Sequence, residues 1–370
     1  MSDDLFKPIR LGDYTLPNRI FMAPMTRGRA DEQGAPTAMV ADYYAQRASA
    51  GLIITEATAV NARGDGWPGA PGIYTDHHQN GWGTVAEAVH ARGGRIFMQI
   101  WHMGRTVLPE HIDGRRPIAP SAIAAEGDIP NKAGVPTKFE IPQEMSLEQI
   151  SREVSSFADA ARRAVAAGMD GVEIHAANNF LIDSFLRDGT NRRTDAYGGS
   201  VANRCRFLLE IVDAVVAEIE AGRVGVRISP TNAVFGIKDS DPETLFSAVA
   251  RNLSPRGLAY LHVLEPANDS NSPMATSIPN VAGALRSAYD GVFVLNGGLT
   301  RETGAQAIAT GRTDAIAYGM MYIANPDLVE RFRHDLPLAD ADPATFYTPG
   351  REGLTTYPPA LKVLAHAKSG

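Results

Sequence analysis

Cysteine, long apolar runs and basic tracts are all scarce in this 370-residue sequence. The single cysteine, Cys205, excludes an internal disulfide. Gly, Asp, Arg or Asn interrupts each apolar run before it reaches the roughly 20 residues that a membrane helix needs. The 35 Lys and Arg residues are outnumbered by 42 Asp and Glu residues, and no basic tract is long enough to follow a phosphate backbone. We therefore expect neither a membrane nor a nucleic acid as a partner.

The amino terminus lacks the basic and apolar regions of a signal peptide, since it reads Met-Ser-Asp-Asp-Leu-Phe-Lys. Together with the single cysteine, this predicts a cytoplasmic protein. Hydrophobic residues make up 44% of the chain, which allows one large core or two modest ones. The number of domains must therefore be inferred from the pattern along the chain.

Eight short, nearly continuous apolar runs recur along the chain, and a polar or Gly-containing turn and a longer helical pattern follow each of them. Such runs are typical of parallel strands covered by helices. No linker-like composition shift divides the series. We therefore predict the α/β class, with one (β/α)8 TIM barrel spanning residues 1–370. The predicted strands are Arg19 to Pro24, Leu52 to Ala57, Arg95 to Trp101, Gly171 to His175, Val224 to Ser229, Leu258 to Val263, Val292 to Gly297 and Ala315 to Gly319.

Two of the intervening helices are clear from their ends or their apolar face. Ser146, followed three residues later by Gln149, resembles a capping box, and Gly168 suits the end of the same helix. The stretch Asn203 to Ala221 carries an apolar stripe with a spacing of four residues, which predicts a helix packed on the barrel wall. That stripe consists of Phe207, Ile211, Val215 and Ile219.

Two irregular segments are predicted to cover the barrel mouth. Residues 106–144 follow strand three and are rich in Pro, Gly and charge, so they predict a cap or hairpin that bounds a substrate pocket. Residues 335–370 predict a carboxyl-terminal lid and tail.

The predicted strand ends, where barrel active sites are assembled, lack a nucleophile paired with a base. Cys205 lies within a helix pattern, and no strand ends in a lysine suited to a Schiff base. A bound cofactor would supply the missing chemistry. Gly297, Gly298 and Gly319 after strands seven and eight let backbone N–H groups approach a phosphate. The same glycines would equally serve tight turns.

Two polar side chains are candidates for binding a flavin ring. Arg227 ends strand five, and its guanidinium would be costly inside a barrel mouth unless it met an anion or an electron-rich heterocycle. Gln99 carries a donor and an acceptor on one amide, which matches the edge of an isoalloxazine. Taken alone, a residue of either type more often has a structural role.

His175 and Asn178 follow strand four with a spacing of three, so that two neutral donors could hold one substrate oxygen. Such a pair polarises a carbonyl or nitro group and stabilises the negative charge that develops as hydride adds to the conjugated carbon. The alternatives are a structural histidine, or a metal site in which His102 is a second ligand. Since no carboxylates cluster near them in sequence, we predict no metal.

Six groups of motifs, in order and spacing along essentially the whole chain, resemble the old yellow enzyme family. The resemblance is closest to the bacterial branch that includes N-ethylmaleimide reductase and pentaerythritol tetranitrate reductase. It implies non-covalently bound FMN, reduced by NADPH or NADH, that passes hydride to an electron-poor alkene. The motifs are Pro24-Met-Thr-Arg, Gly69-Ala-Pro-Gly, Gln99-Ile-Trp-His-Met-Gly-Arg, Asn191-Arg-Arg-Thr-Asp-Ala-Tyr-Gly-Gly-Ser with Asn203-Arg-Cys-Arg-Phe, Val226-Arg-Ile-Ser-Pro and Tyr322-Ile-Ala-Asn-Pro-Asp-Leu.

The resemblance also assigns residues to the flavin and the substrate. It implies that His175 and Asn178 bind the substrate oxygen and that Thr26 tunes the flavin C4=O edge. The implied cofactor residues are Pro24, Met25, Thr26, Ala57, Gln99 and Arg227 at the ring, and Asn296, Gly297, Gly298, Gly319 and Met320 around the phosphate. The implied substrate pocket consists of Trp67, His102, Phe180 and Tyr347.

Two positions depart from the family pattern. Phe180 replaces a Tyr that protonates the alkene carbon in relatives, so water or another residue must supply the proton, and strongly activated alkenes should be favoured. Met320 replaces an Arg that commonly faces the phosphate, which predicts weaker flavin binding.

The predicted function is NAD(P)H-driven, ping-pong reduction of maleimides, quinones, enones or nitroalkenes. One alternative is reduction of nitroesters or nitroaromatics at the same site, and another is a flavin-binding redox sensor with little turnover. A metal-dependent barrel hydrolase is a third. The sequence is compatible with a monomer or a homodimer.

Overall fold

Eight parallel strands close into a barrel in the computed structural model, which describes residues 4–265 and 279–360. Strand four pairs with strand three and strand eight pairs with strand one, so the sheet closes on itself. Each predicted strand is present, and the TIM-barrel prediction is confirmed. Residues 361–370 of the predicted tail lie outside the described residues. In chain order the barrel strands are Ile20–Met22, Leu52–Ile54, Ile96–Trp101, Gly171–Ala176, Val224–Ile228, Tyr260–Leu264, Phe293–Asn296 and Ala315–Tyr318.

Alternate residues of each strand face the barrel interior, as the two-residue repeat of a strand requires. Phe21, Leu52 and Phe97 belong to one buried interior cluster. A short hairpin that precedes the barrel, Ile9–Leu11 with Tyr14–Leu16, adds its buried leucines to the same cluster. The interior is therefore a packed core, and chemistry is left to the carboxyl ends of the strands.

Helices cover the outer face of the strands and bury their apolar stripes against it. The capping box is present, because Ser146 and Gln149 each accept a hydrogen bond from the other's backbone N–H. The second predicted helix begins two residues earlier than expected, since Ser200 caps it. Its four stripe residues are all buried. The helices are Ala38–Ala45, Asp76–His90, Leu147–Ala166, Leu181–Leu186, Val201–Ile219, Pro242–Leu253, Ala282–Ser287, Arg301–Ala309, Met320–Ala324 and Leu328–Arg333. Within the described ranges, no helix is long and apolar enough to cross a membrane.

The predicted capping segment after strand three contains an antiparallel hairpin, Asp128–Pro130 with Pro136–Lys138. Its base is tied by a parallel pairing of Ile118–Ala119 with Gln143–Glu144. The tip of the hairpin borders an outer cavity of about 610 Å³ that Trp67 also lines. The capping segment therefore lies near Trp67, one of the predicted pocket residues.

Two buried arginines from the loop after strand one hold the carboxyl-terminal segment. Arg29 donates to the backbone oxygens of Thr345 and Phe346 at 2.8 and 2.6 Å, and it also reaches those of Gly350 and Glu352. Arg27 donates to the Gly353 oxygen at 2.8 Å. These bonds fix the segment at the carboxyl end of the barrel. Its role as a lid, and the assignment of the whole chain to one domain, stay predictions.

Candidate active site

The carboxyl ends of the strands enclose a cavity of about 430 Å³. This size is within the range of roughly 300 to 1,000 Å³ that is common for small-molecule sites. Of the predicted site residues, the cavity is lined by Pro24, Met25, Asn178, Arg227, Asn296, Gly297, Gly298, Gly319 and Met320. Three further predicted residues do not line the cavity. Thr26 follows Met25 in the chain and is half-buried, whereas Ala57, just after strand two, and Gln99, in strand three, are buried.

The Arg227 side chain lines this cavity and is only partly satisfied by protein groups. Its Nη2 donates to Asn296 Oδ1 at 3.0 Å, and Asn296 Nδ2 in turn donates to the Ala317 oxygen at 2.7 Å. The Arg227 Nε is buried and has no partner among the described residues. An unsatisfied buried N–H is costly, so the arrangement suits a ligand that brings an acceptor to this side of the cavity.

The glycines that line the cavity serve two different purposes. A Cβ on Gly297, whose φ is +129°, would lie 1.6 Å from the Glu265 oxygen, so the backbone itself requires glycine there. A Cβ on Gly319 would meet only Met25 and Ala23 atoms at 3.7 to 3.9 Å, which is ordinary contact. The backbone conformation and the close approach of Glu265 therefore explain the glycine at position 297. No such clash requires glycine at position 319, where the missing side chain leaves space beside the cavity.

Met320 is 58% exposed at the rim of this space. Arg227 is the only cationic side chain among the described residues that line the cavity. A phosphate bound near Gly319 and Met320 would therefore depend on backbone N–H groups from these residues.

A buried carboxylate, Glu173, orients Gln99 one layer below the mouth of the barrel. Gln99 Nε2 donates to Glu173 Oε1 at 2.7 Å, and His262 Nδ1 bonds Glu173 Oε2 at 2.8 Å. Burial alone would raise the pKa of Glu173, but His262, Arg227 and Gln99 outweigh it and lower that pKa. The sequence analysis missed Glu173, although it lies two residues before His175 and so shares the inward face of strand four.

His175 is held as a neutral donor. Its Nδ1 accepts the Ala177 backbone N–H at 3.3 Å, so Nε2 carries the proton. Burial, with the nearby charges of Arg227 and His262, lowers the pKa of His175 well below its ordinary value. The ring therefore stays uncharged at neutral pH and can donate from Nε2.

Three rings pack together at this point. Phe180 meets Trp101 edge-on with ring centroids 4.7 Å apart, and it meets His175 edge-on at 4.8 Å. Trp101 also lies 6.4 Å from His175 in a stacked arrangement. Trp101 belongs to one of the family motifs, but the sequence alone predicted no role for it. Its position two residues after Gln99 on the inward face was the available signal.

Trp67 and Tyr347 pair at the outer rim, with ring centroids 5.6 Å apart. The structure does not support the placement of His102 in the substrate pocket. Its neighbour Trp101 faces inward, so the alternation of the strand turns His102 outward, where its Nε2 lies 3.7 Å from the Glu153 carboxylate and its ring packs on Gly64. No group of three His, Cys, Asp or Glu side chains within the described ranges could hold a metal ion.

Comparisons with known proteins agree with this geometry. Residues 4–339 match the model of the NADH:flavin oxidoreductase / NADH oxidase family. A Leishmania infantum protein named "Probable flavin mononucleotide-dependent alkene reductase" is 43% identical over 364 residues, which cover 96% of this chain and 97% of that protein.

Two solved structures are similar over nearly their whole length. The old yellow enzyme homologue from Zymomonas mobilis is 44% identical with a TM-score of 0.93, covering 96% of this chain and 99% of that chain. Morphinone reductase is 42% identical with a TM-score of 0.91, covering 96% of each chain. The chain is therefore a member of the old yellow enzyme family, an FMN-dependent oxidoreductase that uses NAD(P)H.

Proposed function

We propose that this protein reduces electron-poor C=C bonds, such as those of maleimides, quinones, enones and nitroalkenes. The observation that carries the proposal is a pair of neutral donors at the end of strand four and just after it, His175 and Asn178, of which Asn178 lines the cavity. Arg227 also lines the cavity, and its buried Nε has no partner among the described residues. One part of the site suits an electron-rich heterocycle, and the other suits the oxygen of a substrate.

The residues present fit FMN. Arg227 would meet an acceptor edge of the ring, since its Nε has no protein partner. Gln99, oriented by Glu173, would face the same ring from strand three. Pro24, Met25, Thr26 and Ala57 complete the proposed ring contacts, and the phosphate would lie near Asn296, Gly298, Gly319 and Met320. Bound FMN would supply the hydride.

The substrate oxygen would accept from His175 Nε2 and from Asn178. Because His175 is neutral, the pair stabilises developing negative charge by directed hydrogen bonds and does not transfer a full proton. Trp67, Phe180 and Tyr347 would form apolar walls beside that oxygen. Since one cavity serves both the nicotinamide and the alkene, we expect ping-pong kinetics.

Phe180 bears on which alkenes react. Its ring has no proton to give. General acid catalysis, which typically contributes about 10² to 10⁴ in rate, is therefore not available from this residue. We therefore expect water to protonate the product, and strongly activated alkenes to be better substrates than simple enones.

A nitro group is a second candidate acceptor. It carries two oxygens, and the site offers two neutral donors, His175 at the end of strand four and Asn178 just after it. Nitroesters or nitroaromatics would therefore bind to the same pair, and product analysis separates the two reactions.

Replacing the donors tests the proposal. We expect Asn178→Ala and His175→Ala each to lower kcat/KM for N-ethylmaleimide by about 10- to 1,000-fold, as removal of an oxyanion donor does, while FMN content stays normal. His334→Ala, which removes an exposed histidine, is the matched control. Unchanged kcat/KM in both donor variants would contradict the assignment.

A further inference from the structure

The amide of Asn178 is bound by a second, fully buried asparagine from the loop after strand five. Asn232 Nδ2 donates to Asn178 Oδ1 at 2.7 Å, and Asn232 itself has no exposed surface. We propose that Asn232 is a positioning residue that keeps the Asn178 NH2 group directed at the substrate. The inference rests on the proposed function, in which Asn178 binds the substrate oxygen.

The orientation of Asn232 follows from a backbone group that can only donate. The Val234 N–H donates to Asn232 Oδ1 at 2.9 Å. This bond assigns the oxygen of the Asn232 amide, so that its nitrogen must face Asn178. The atom of Asn178 that meets this nitrogen must accept, and it is therefore Oδ1.

The backbone beneath Asn178 is fixed as well. Its N–H donates to Ser229 Oγ at 2.9 Å, and its φ of 59° places it in the left-handed region that asparagine tolerates. Arg187 donates to the backbone oxygen of Ser229 at 2.6 Å and forms an ion pair with Asp183. The side chains of Arg187 and Asp183 are fully buried. Asp183 also accepts the Asn179 N–H at 3.0 Å. The turn after strand four and the loop after strand five are thus joined beneath the amide.

Only Asn178 Nδ2 is then left for a ligand. No acceptor among the described residues meets it, and Asn178 lines the cavity. Asn178 Nδ2 and His175 Nε2 are both hydrogen-bond donors, so this pair of side chains offers a ligand no acceptor. It should therefore select ligands that offer an acceptor, such as a carbonyl, nitro or phenolate oxygen.

Asn232→Asp tests the orientation directly. The variant is titrated at rising pH, because burial at this position raises the pKa of the new carboxyl. Once ionised, the carboxylate can still accept from Val234 but cannot donate, so the Asn178 amide must turn over and present Oδ1 to the ligand. We expect the holoenzyme variant to bind 4-hydroxybenzaldehyde, as its phenolate, about 10- to 100-fold more weakly, because the phenolate oxygen loses a charge-assisted hydrogen bond. The measurement is a titration of the long-wavelength charge-transfer band of the phenolate stacked on oxidised flavin.

Two controls separate orientation from added charge and from packing. Ala233→Asp adds the same charge at the exposed neighbouring position and should bind the phenolate within about threefold of the unmodified protein. Asn232→Leu removes the hydrogen bond without charge, so the Asn178 amide turns freely, and an intermediate loss is expected. The visible spectrum and FMN content of each variant confirm that it is folded and loaded.

The outcomes distinguish this inference from the proposed function. Wild-type affinity in Asn232→Asp throughout the pH range in which the holoenzyme is folded, together with weak binding in Asn178→Ala, overturns the positioning role alone. Wild-type affinity in Asn178→Ala overturns the proposed donor pair. An equal loss in Ala233→Asp and Asn232→Asp would show that charge, and not orientation, causes the effect.

Discussion

At the scale of single residues, Phe180 bears on the source of the product's proton, because its ring has none to give. The ring is half-buried and held edge-on by Trp101 and His175, so a tyrosine would keep the same packing and add one hydroxyl. We expect Phe180→Tyr to speed single-turnover reduction of 2-cyclohexenone by at least about tenfold, because general acids contribute about 10² to 10⁴. Stopped-flow reoxidation of the reduced protein measures this rate.

Phe180→Leu is the matched control for that experiment, since it changes the ring without adding an acid. The rate with N-ethylmaleimide should change little in either variant. If Phe180→Tyr reduces cyclohexenone no faster than the unmodified protein, the missing hydroxyl at position 180 does not limit the rate and the expected substrate preference is wrong.

Met320 makes a second prediction at this scale, on cofactor affinity. It is exposed at the rim of the cavity, so a longer cation can be accommodated without disturbing the core. We expect Met320→Arg to bind FMN about tenfold more tightly, because a charge-assisted hydrogen bond to the phosphate is about twice as strong as a neutral one. Quenching of flavin fluorescence on titration of the apoprotein gives the Kd, with Met320→Leu as the neutral control. A Kd unchanged within twofold would show that this position does not contact the phosphate.

At the scale of elements, Arg29 connects the loop after strand one with the carboxyl-terminal segment that carries Tyr347. Arg29 is 4% exposed and donates to four backbone oxygens of that segment. We expect Arg29→Ala to lower the free energy of unfolding by about 2 kcal/mol, as loss of a buried hydrogen-bonding group does. Limited proteolysis should then cut between residues 345 and 353 more rapidly.

Arg351→Ala is the control, because it removes an exposed ion pair with Asp42 from the same segment. Exposed pairs of this kind contribute about 0 to 1 kcal/mol. Equal proteolysis of Arg29→Ala and the unmodified protein would show that other contacts fix the segment.

The sequence predicted the elements better than it predicted the contacts between them. The capping box of Ser146 and the apolar stripe from Phe207 to Ile219 depend on local spacing, and both are present. The bonds from Arg29 to the carboxyl-terminal segment join residues more than 300 positions apart, and no local pattern signals them. His102 shows the other limit, because reading it as a pocket residue ignored the alternation that turns Trp101 inward and His102 outward.

At the scale of the whole molecule, barrel closure brings the candidate site together. Residues as distant in sequence as Pro24, Asn178 and Met320 line one cavity because all eight strands are parallel and end on the same side. The resemblance to the old yellow enzyme family implied most of the predicted residues that line this cavity. The arrangement of Glu173, Asn232 and the unpaired Arg227 Nε required the three-dimensional structure, because each depends on partners from other strands and loops.

A full redox cycle of the bound flavin is the decisive test of the proposed alkene reduction. The purified protein is reduced with NADPH without oxygen and then mixed with N-ethylmaleimide, while the flavin absorbance is followed throughout. We expect bleaching by NADPH and full recovery with the maleimide. Bleaching without recovery, or a colourless protein that cannot be reconstituted with FMN, would contradict the proposed reduction.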